Sequence, residues 1–137
     1  MCFPYLSPAN LQGKGQYMPY LPLDLRYKNQ TLNAHGLLDT GSAVNLLPYE
    51  MGLSLGAVWE KQTIPLTLTG NLARFEARAV FVEMYIEGHS WIELAFAWTR
   101  SENAPLLLGQ TNFFMEFDVL FSRSALFFEV TPKGKFK

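Results

Sequence analysis

From Leu21 onward the chain alternates. Leu21, Leu23, Leu25 and Tyr27 fall on one side and Asp24, Arg26 and Lys28 on the other, which predicts a half-buried strand. Asn29-Gln30 reads as a turn, and residues 31–38 return as the partner strand. Val44, Leu46 and Leu47 predict a further short strand. Pro48 then suits a first helical position, Glu50 a first turn and Gly56 a C-terminal stop, so a short helix is expected between them. Gly52 should weaken that helix by up to ~1 kcal/mol. Residues 64–68 alternate again, Thr69-Gly70-Asn71 mark a hairpin turn, and residues 72–86 read as one long strand. On it Arg74, Glu76 and Arg78 share a face with Val80, Val82, Met84 and Ile86. A face charged at one end and apolar at the other predicts a hairpin whose tip projects off the body.

Gly88-His89 turn the chain into an apolar strand over residues 90–99, and residues 100–103 make a polar loop. A second short helix is expected near Thr111, packed through Phe113, Phe114 and Phe117. Residues 117–121 and 125–130 read as strands joined at Ser122-Arg123-Ser124. The fold class is therefore mostly β, with one or two short helices. Residues 1–17 read as an irregular arm. Two fates stay open for it: docking through Phe3, Tyr5 and Leu6 on the body or on a second subunit, or a free tail. Residues 18–132 form the domain, and 133–137 a basic C-terminal tail.

Composition narrows the function classes. A chain of 137 residues, 49% apolar and 17% charged, is one ordinary globular domain. Its eleven Phe suit a small core of large side chains. A formal charge of −1 gives no electrostatic case for nucleic acid or an anionic membrane. Cys2 is the single cysteine and the two histidines lie far from it, so neither an internal disulfide nor a metal-ligand cluster is expected, and no cofactor is called for. No run approaches the ~18 apolar residues of a membrane span, and the start lacks a signal-peptide pattern. A soluble cytoplasmic protein is the expectation.

Candidate chemistry concentrates in Leu37-Leu38-Asp39-Thr40-Gly41-Ser42-Ala43. Two aliphatic residues carry an acid to a point where the chain turns. Asp39 either bonds the backbone two residues on, as in an Asx-turn, or is held in a tight loop and aimed at a partner. His35 is expected to be a partly buried structural residue, His89 a solvated turn residue, and Asp118 no second acid of this kind, since no Thr-Gly or Ser-Gly follows it. No Ser-His, Cys-His or HExxH set is present for another hydrolase class.

With its flanks, the Asp39 stretch resembles the active-site loop of the aspartic proteases. Pro105-Leu106-Leu107-Leu108-Gly109-Gln110-Thr111-Asn112-Phe113-Phe114, followed by Phe117-Asp118-Val119, resembles the late Gly-containing element of retropepsin-like proteases, closest to the bacterial single-domain type. The resemblance covers residues 18–132. It implies a closed, barrel-like retropepsin fold with a flap hairpin at Thr69, Gly70, Asn71 and Leu72. Leu108 and Gly109 would pass beneath the active-site loop. It further implies Asp39 as the catalytic acid, Thr40 bridging two subunits through its hydroxyl, and Gly41 allowing substrate close to the backbone. Such flaps usually carry several glycines; here Gly70 stands alone. Ser42 replaces a common alanine, and its hydroxyl is expected to donate to Asp39, the alternative being a bond to local backbone in the turn. Gln110 stands where many relatives have arginine, and Ala43 where that arginine's acid partner would be, which implies a different support network. Peptide hydrolysis without a covalent intermediate needs both a base and an acid. One Asp-Thr-Gly per chain therefore implies a homodimer acting as an endopeptidase on a peptide or protein substrate. The alternative is a dimeric binding or scaffolding module with little turnover. Peptide cleavage by wild type and Asp39→Asn separates the two.

Overall fold

The computed structural model describes residues 1–7, 16–69, 72–73, 75–101 and 103–134. Strands β2 (Tyr20–Tyr27) and β3 (Gln30–Leu38) form the first hairpin, in register from Tyr20 opposite Leu37 to Tyr27 opposite Gln30. The turn is Lys28-Asn29, one residue earlier than expected, with Lys28 in the left-handed region at φ 56°. The alternation works as read: Leu21, Leu23 and Leu25 are buried while Asp24 and Arg26 face outward.

The main sheet also contains β4 (Asn45–Pro48), β5 (Pro65–Leu66), β6 (Ala77–Tyr85), β7 (Ile92–Thr99) and β8 (Leu107–Leu108). Its order is β2-β3-β8-β4-β7-β6-β5, and β2 also pairs with β6, which closes six strands into a barrel and leaves β5 outside the seam. At that seam Arg26 stands opposite Glu83 and grips it with two hydrogen bonds, Nε to Oε1 at 3.0 Å and Nη2 to Oε2 at 3.2 Å. The same guanidinium lies 3.9 Å from the centre of the Trp91 ring. Inside the barrel, Leu21 and Leu25 share one core with Val80, Val82, Met84, Leu94, Phe96 and Leu108. Each such side chain contributes about 1.5–3 kcal/mol on burial.

A second, three-stranded sheet is built from β1 (Cys2–Pro4), β9 (Phe117–Ser122) and β10 (Phe127–Pro132), with β10 in the middle. Of the two fates left open for the arm, its first residues dock on this chain's own body. Phe3 stacks on Phe128 at 5.4 Å and Tyr5 meets the same ring edge-on. Both sheets contribute to one apolar core. From the basic tail, Lys133 pairs with Glu116 at 2.9 Å. Residues 135–137 of that tail, and 8–15 of the arm, lie outside the described residues.

Helix α1 is Tyr49–Ser54, so Pro48 caps it from the strand side instead of opening it. Gly56, at φ +84°, ends it. Its N–H bonds Leu53 O and that of Ala57 bonds Gly52 O, a Schellman closure. Gly52 is a contact, not a weakness. A Cβ there would fall on the Trp98 indole, whose Nε1 donates to Tyr49 O at 3.1 Å. Helix α2 (Phe113–Glu116) follows β8 and stacks Phe113 on Phe117 at 4.9 Å.

The segment expected to form a flap hairpin differs most from expectation. Only Pro65 and Leu66 pair with β6, at Arg78 and Ala77, and β6 begins at Ala77 and not at residue 72. Leu68 instead packs on Ala77, Ala97, Ala104 and Leu46, with Leu72 against the same cluster. Alanines on this outer face leave a shallow floor on which leucines from the loop can rest. Thr69 is exposed and Leu72 half-buried; Gly70, Asn71 and Arg74, expected at or near the hairpin tip, lie outside the described residues. Arg78, at the charged end of the strand, donates to Trp59 O and Gln62 O and lies over the Trp59 ring. No helix among the described residues is long and apolar enough to cross a membrane.

Candidate active site

Asp39 stands where β3 ends, and the way that strand is paired decides its position. β8 inserts between β3 and β4, parallel to the first (Leu37 with Leu107, Leu38 with Leu108) and antiparallel to the second (Leu46 with Leu107). The last bond of the parallel pair is donated by the Asp39 N–H to Leu108 O at 3.0 Å. The chain then turns. Gly41 N donates to Asp39 Oδ1 at 2.9 Å and Ser42 N to Asp39 O at 3.1 Å. Asp39 thus forms the Asx-turn while remaining only half-buried, beside the exposed Thr40 and Gly41. The two readings of this acid are compatible.

The loop is stitched to the segment after β8. Gln110 N donates to Ser42 O, Thr111 N to Ala43 O, and Asn45 N to Thr111 O, all at 2.9–3.0 Å. Gly109 lies beneath this crossing with no room for a side chain. A Cβ there would be 2.7 Å from Ser42 O and closer still to Val44 O. Leu108 is fully buried and fills the space beside Gly36.

Ser42 does not do what was expected of it. Its hydroxyl donates to Val44 O at 2.7 Å, the local bond that serine readily makes two residues along a turn. Gln110 reaches back instead, with Nε2 donating to Thr40 O at 2.8 Å. It supplies a support for the loop within the chain.

Sequence reasoning missed Asn45, the polar centre beneath the loop. Fully buried, it accepts from Gly109 N at 2.8 Å and, more weakly, from Phe113 N at 3.4 Å. Its amide donates to Ala95 O at 3.0 Å and to Asn112 Oδ1 at 3.1 Å, and Asn112 Oδ1 also receives Ala95 N. The available signal was a lone amide inside the apolar run Val44 to Leu47.

The histidines exchange their expected roles. His35 is exposed on β3, with its neighbours Gly36 and Ala34 turned inward or half-covered. His89 is half-buried with its ring edge-on to Phe117 at 5.5 Å, and burial pushes it below the usual imidazole range. Asp118 lies on β9 in the other sheet, opposite Thr131. Asp39 takes part in none of the three ion pairs among the described residues, and no three His, Cys, Asp or Glu side chains converge among them. What the site offers is one half-buried carboxylate on a loop held by backbone hydrogen bonds, with one oxygen bonded to a backbone N–H.

No protein-family model and no curated protein sequence matches the chain. Solved structures do. A retropepsin-like aspartic protease from Rickettsia conorii superposes with a TM-score of 0.64 at 14% identity, over 96% of this chain and 98% of that one. EIAV protease, complexed with an inhibitor, matches with a TM-score of 0.48 at 18% identity, over 71% of this chain and 86% of that one.

Proposed function

We propose that this chain, which has the retropepsin-like fold, is one half of an aspartic endopeptidase whose two Asp39 carboxylates meet on a dimer axis. The observation that carries this reading is the single accessible carboxylate at the end of β3, on a loop held by four backbone bonds to the segment 108–111. A base must activate water and an acid must protonate the leaving amine. Two adjacent carboxylates supply both, because their repulsion stops them ionising together and leaves one proton shared between them. One chain contributes one such acid, so the pair requires a second copy related by a two-fold axis. Thr40 and Gly41, exposed beside Asp39, are then the residues facing the partner and the substrate. Thr69 and Leu72, on the loop between β5 and β6, are then flap residues, and Gly70 and Asn71 join them by their place in the sequence. The protein of Rickettsia with this fold is described as an aspartic protease, which supports the same class for this chain.

One feature favours the alternative of a scaffold with little turnover: the paired part of the flap is only two residues long, and Leu68 is buried against the barrel wall. A peptide-library digest by wild type and Asp39→Asn, with sedimentation of both, separates the readings. An endopeptidase loses cleavage in the variant and keeps its dimer. Absence of cleavage by a dimeric wild type at any pH between acid and neutral would establish the scaffold.

A further inference from the structure

A peptide group has two ends, and the one between Thr40 and Gly41 is bonded at both. Its carbonyl accepts the Gln110 side-chain Nε2–H at 2.8 Å, and its N–H donates to Asp39 Oδ1 at 2.9 Å. Hydrogen bonds in series polarise one another: a donor on the carbonyl makes the N–H of the same amide a better donor. From this we infer that Gln110 is a positioning residue for Asp39, acting through the Thr40–Gly41 peptide. It fixes the plane of that peptide and strengthens the bond at the carboxylate. This deepens, and rests on, the reading of Asp39 as the catalytic acid.

Among the described residues of the loop and its support, this relay is the polar contact made to the Asp39 carboxylate. Residues 36–44 and 106–111, which build and underlie the loop, carry no titratable side chain apart from Asp39, and β2 brings only Tyr20, opposite Leu37. In the proposed dimer Asp39 also faces the carboxylate of its symmetry mate. Gln110 itself is exposed and is not a core residue, so its replacement should leave the fold intact.

Two variants test the assignment. Gln110→Leu keeps the bulk and deletes the donor. Gln110→Glu presents an acceptor at neutral pH and regains an O–H donor when protonated. A bond to the charged form of a carboxylate favours that form, so weakening it makes ionisation harder. For Gln110→Leu, kcat should fall roughly 3- to 10-fold with KM little changed, the scale of one hydrogen bond, and the acidic limb of the kcat/KM profile should move up in pH. Gln110→Glu should be equally impaired at neutral pH and partly recover towards acid. Independently of activity, the Gly41 amide should exchange faster with solvent in Gln110→Leu than in wild type. If Asp39→Asn abolishes cleavage while both Gln110 variants keep wild-type kcat, limb and Gly41 exchange, the relay is wrong and the peptidase reading stands. If Asp39→Asn still cleaves, the peptidase reading falls, and Gly41 exchange alone decides whether Gln110 braces the loop.

Discussion

Replacing Asn45 by alanine removes a side chain that touches four backbone or amide groups from β7, the β8 exit and the start of α2. The Gly109 N–H is buried and its 2.8 Å acceptor disappears, a cost of about 1–3 kcal/mol for an unsatisfied donor. The two bonds donated by the amide add about 1 kcal/mol each on the same scale, and the 3.4 Å contact to Phe113 N little. Their sum, about 3–5 kcal/mol, is a large share of the ~5–15 kcal/mol that holds a domain together. Urea unfolding should therefore show a free energy lowered by that amount, read as a lower midpoint with an unchanged slope. Asn45→Asp sharpens the test. It keeps the acceptor for Gly109 but turns a second oxygen towards Ala95 O and Asn112 Oδ1. Burial among acceptors disfavours the charged acid and raises its folded pKa above the ordinary ~3.9. The folded state then binds more protons, so this variant is least destabilised below that pH and loses stability as pH rises. A loss under ~1 kcal/mol for Asn45→Ala, or an Asn45→Asp deficit relative to wild type that is smaller at neutral than at acid pH, would refute the role given to Asn45.

Gly52→Ala should destabilise the fold by about 1–3 kcal/mol through overpacking against Trp98, despite the better helix former; a raised Tm would contradict the packing. Ser42→Ala should cost about 0.5–1.5 kcal/mol of stability through the lost bond to Val44 O, with the acidic limb of kcat/KM unmoved; a moved limb would show that the hydroxyl serves Asp39 after all. Glu83 is held below the usual carboxylate range by hydrogen bonds from Arg26. Its stabilisation of the barrel seam is present above the unfolded carboxylate pKa of ~4.3 and is lost as pH falls through the lower folded value. The urea midpoints of wild type and Glu83→Gln should accordingly differ at neutral pH and converge in strong acid, and a gap that persists there would contradict the linkage.

The parts legible in the sequence are those where one face meets one core. β2 and β6 alternate because their Leu, Val and Met face the barrel interior, and the Asp39 loop is legible because a turn, an acid and a glycine coincide. The misreadings share a different cause: they depend on what arrives from elsewhere in the chain. Residues 72–76 have the alternation of a strand, yet β6 begins only at Ala77, since Leu68 and Leu72 are drawn to the alanine floor. Gly52 looks like a poor helix residue until Trp98 is placed upon it. Asn45 was passed over because its four partners are distant in sequence, and Ser42 was assigned to Asp39 because hydroxyl direction cannot be read from residue type.

The central claim is that two chains each supply one essential carboxylate. It is tested by refolding wild type and Asp39→Asn together in varied proportions, at constant total concentration, and measuring peptide cleavage. Only dimers with two wild-type chains should act, so activity should follow the square of the wild-type fraction, leaving about a quarter at equal mixing. Activity in simple proportion to that fraction, with about half remaining, would mean that each chain works alone and would overturn the account.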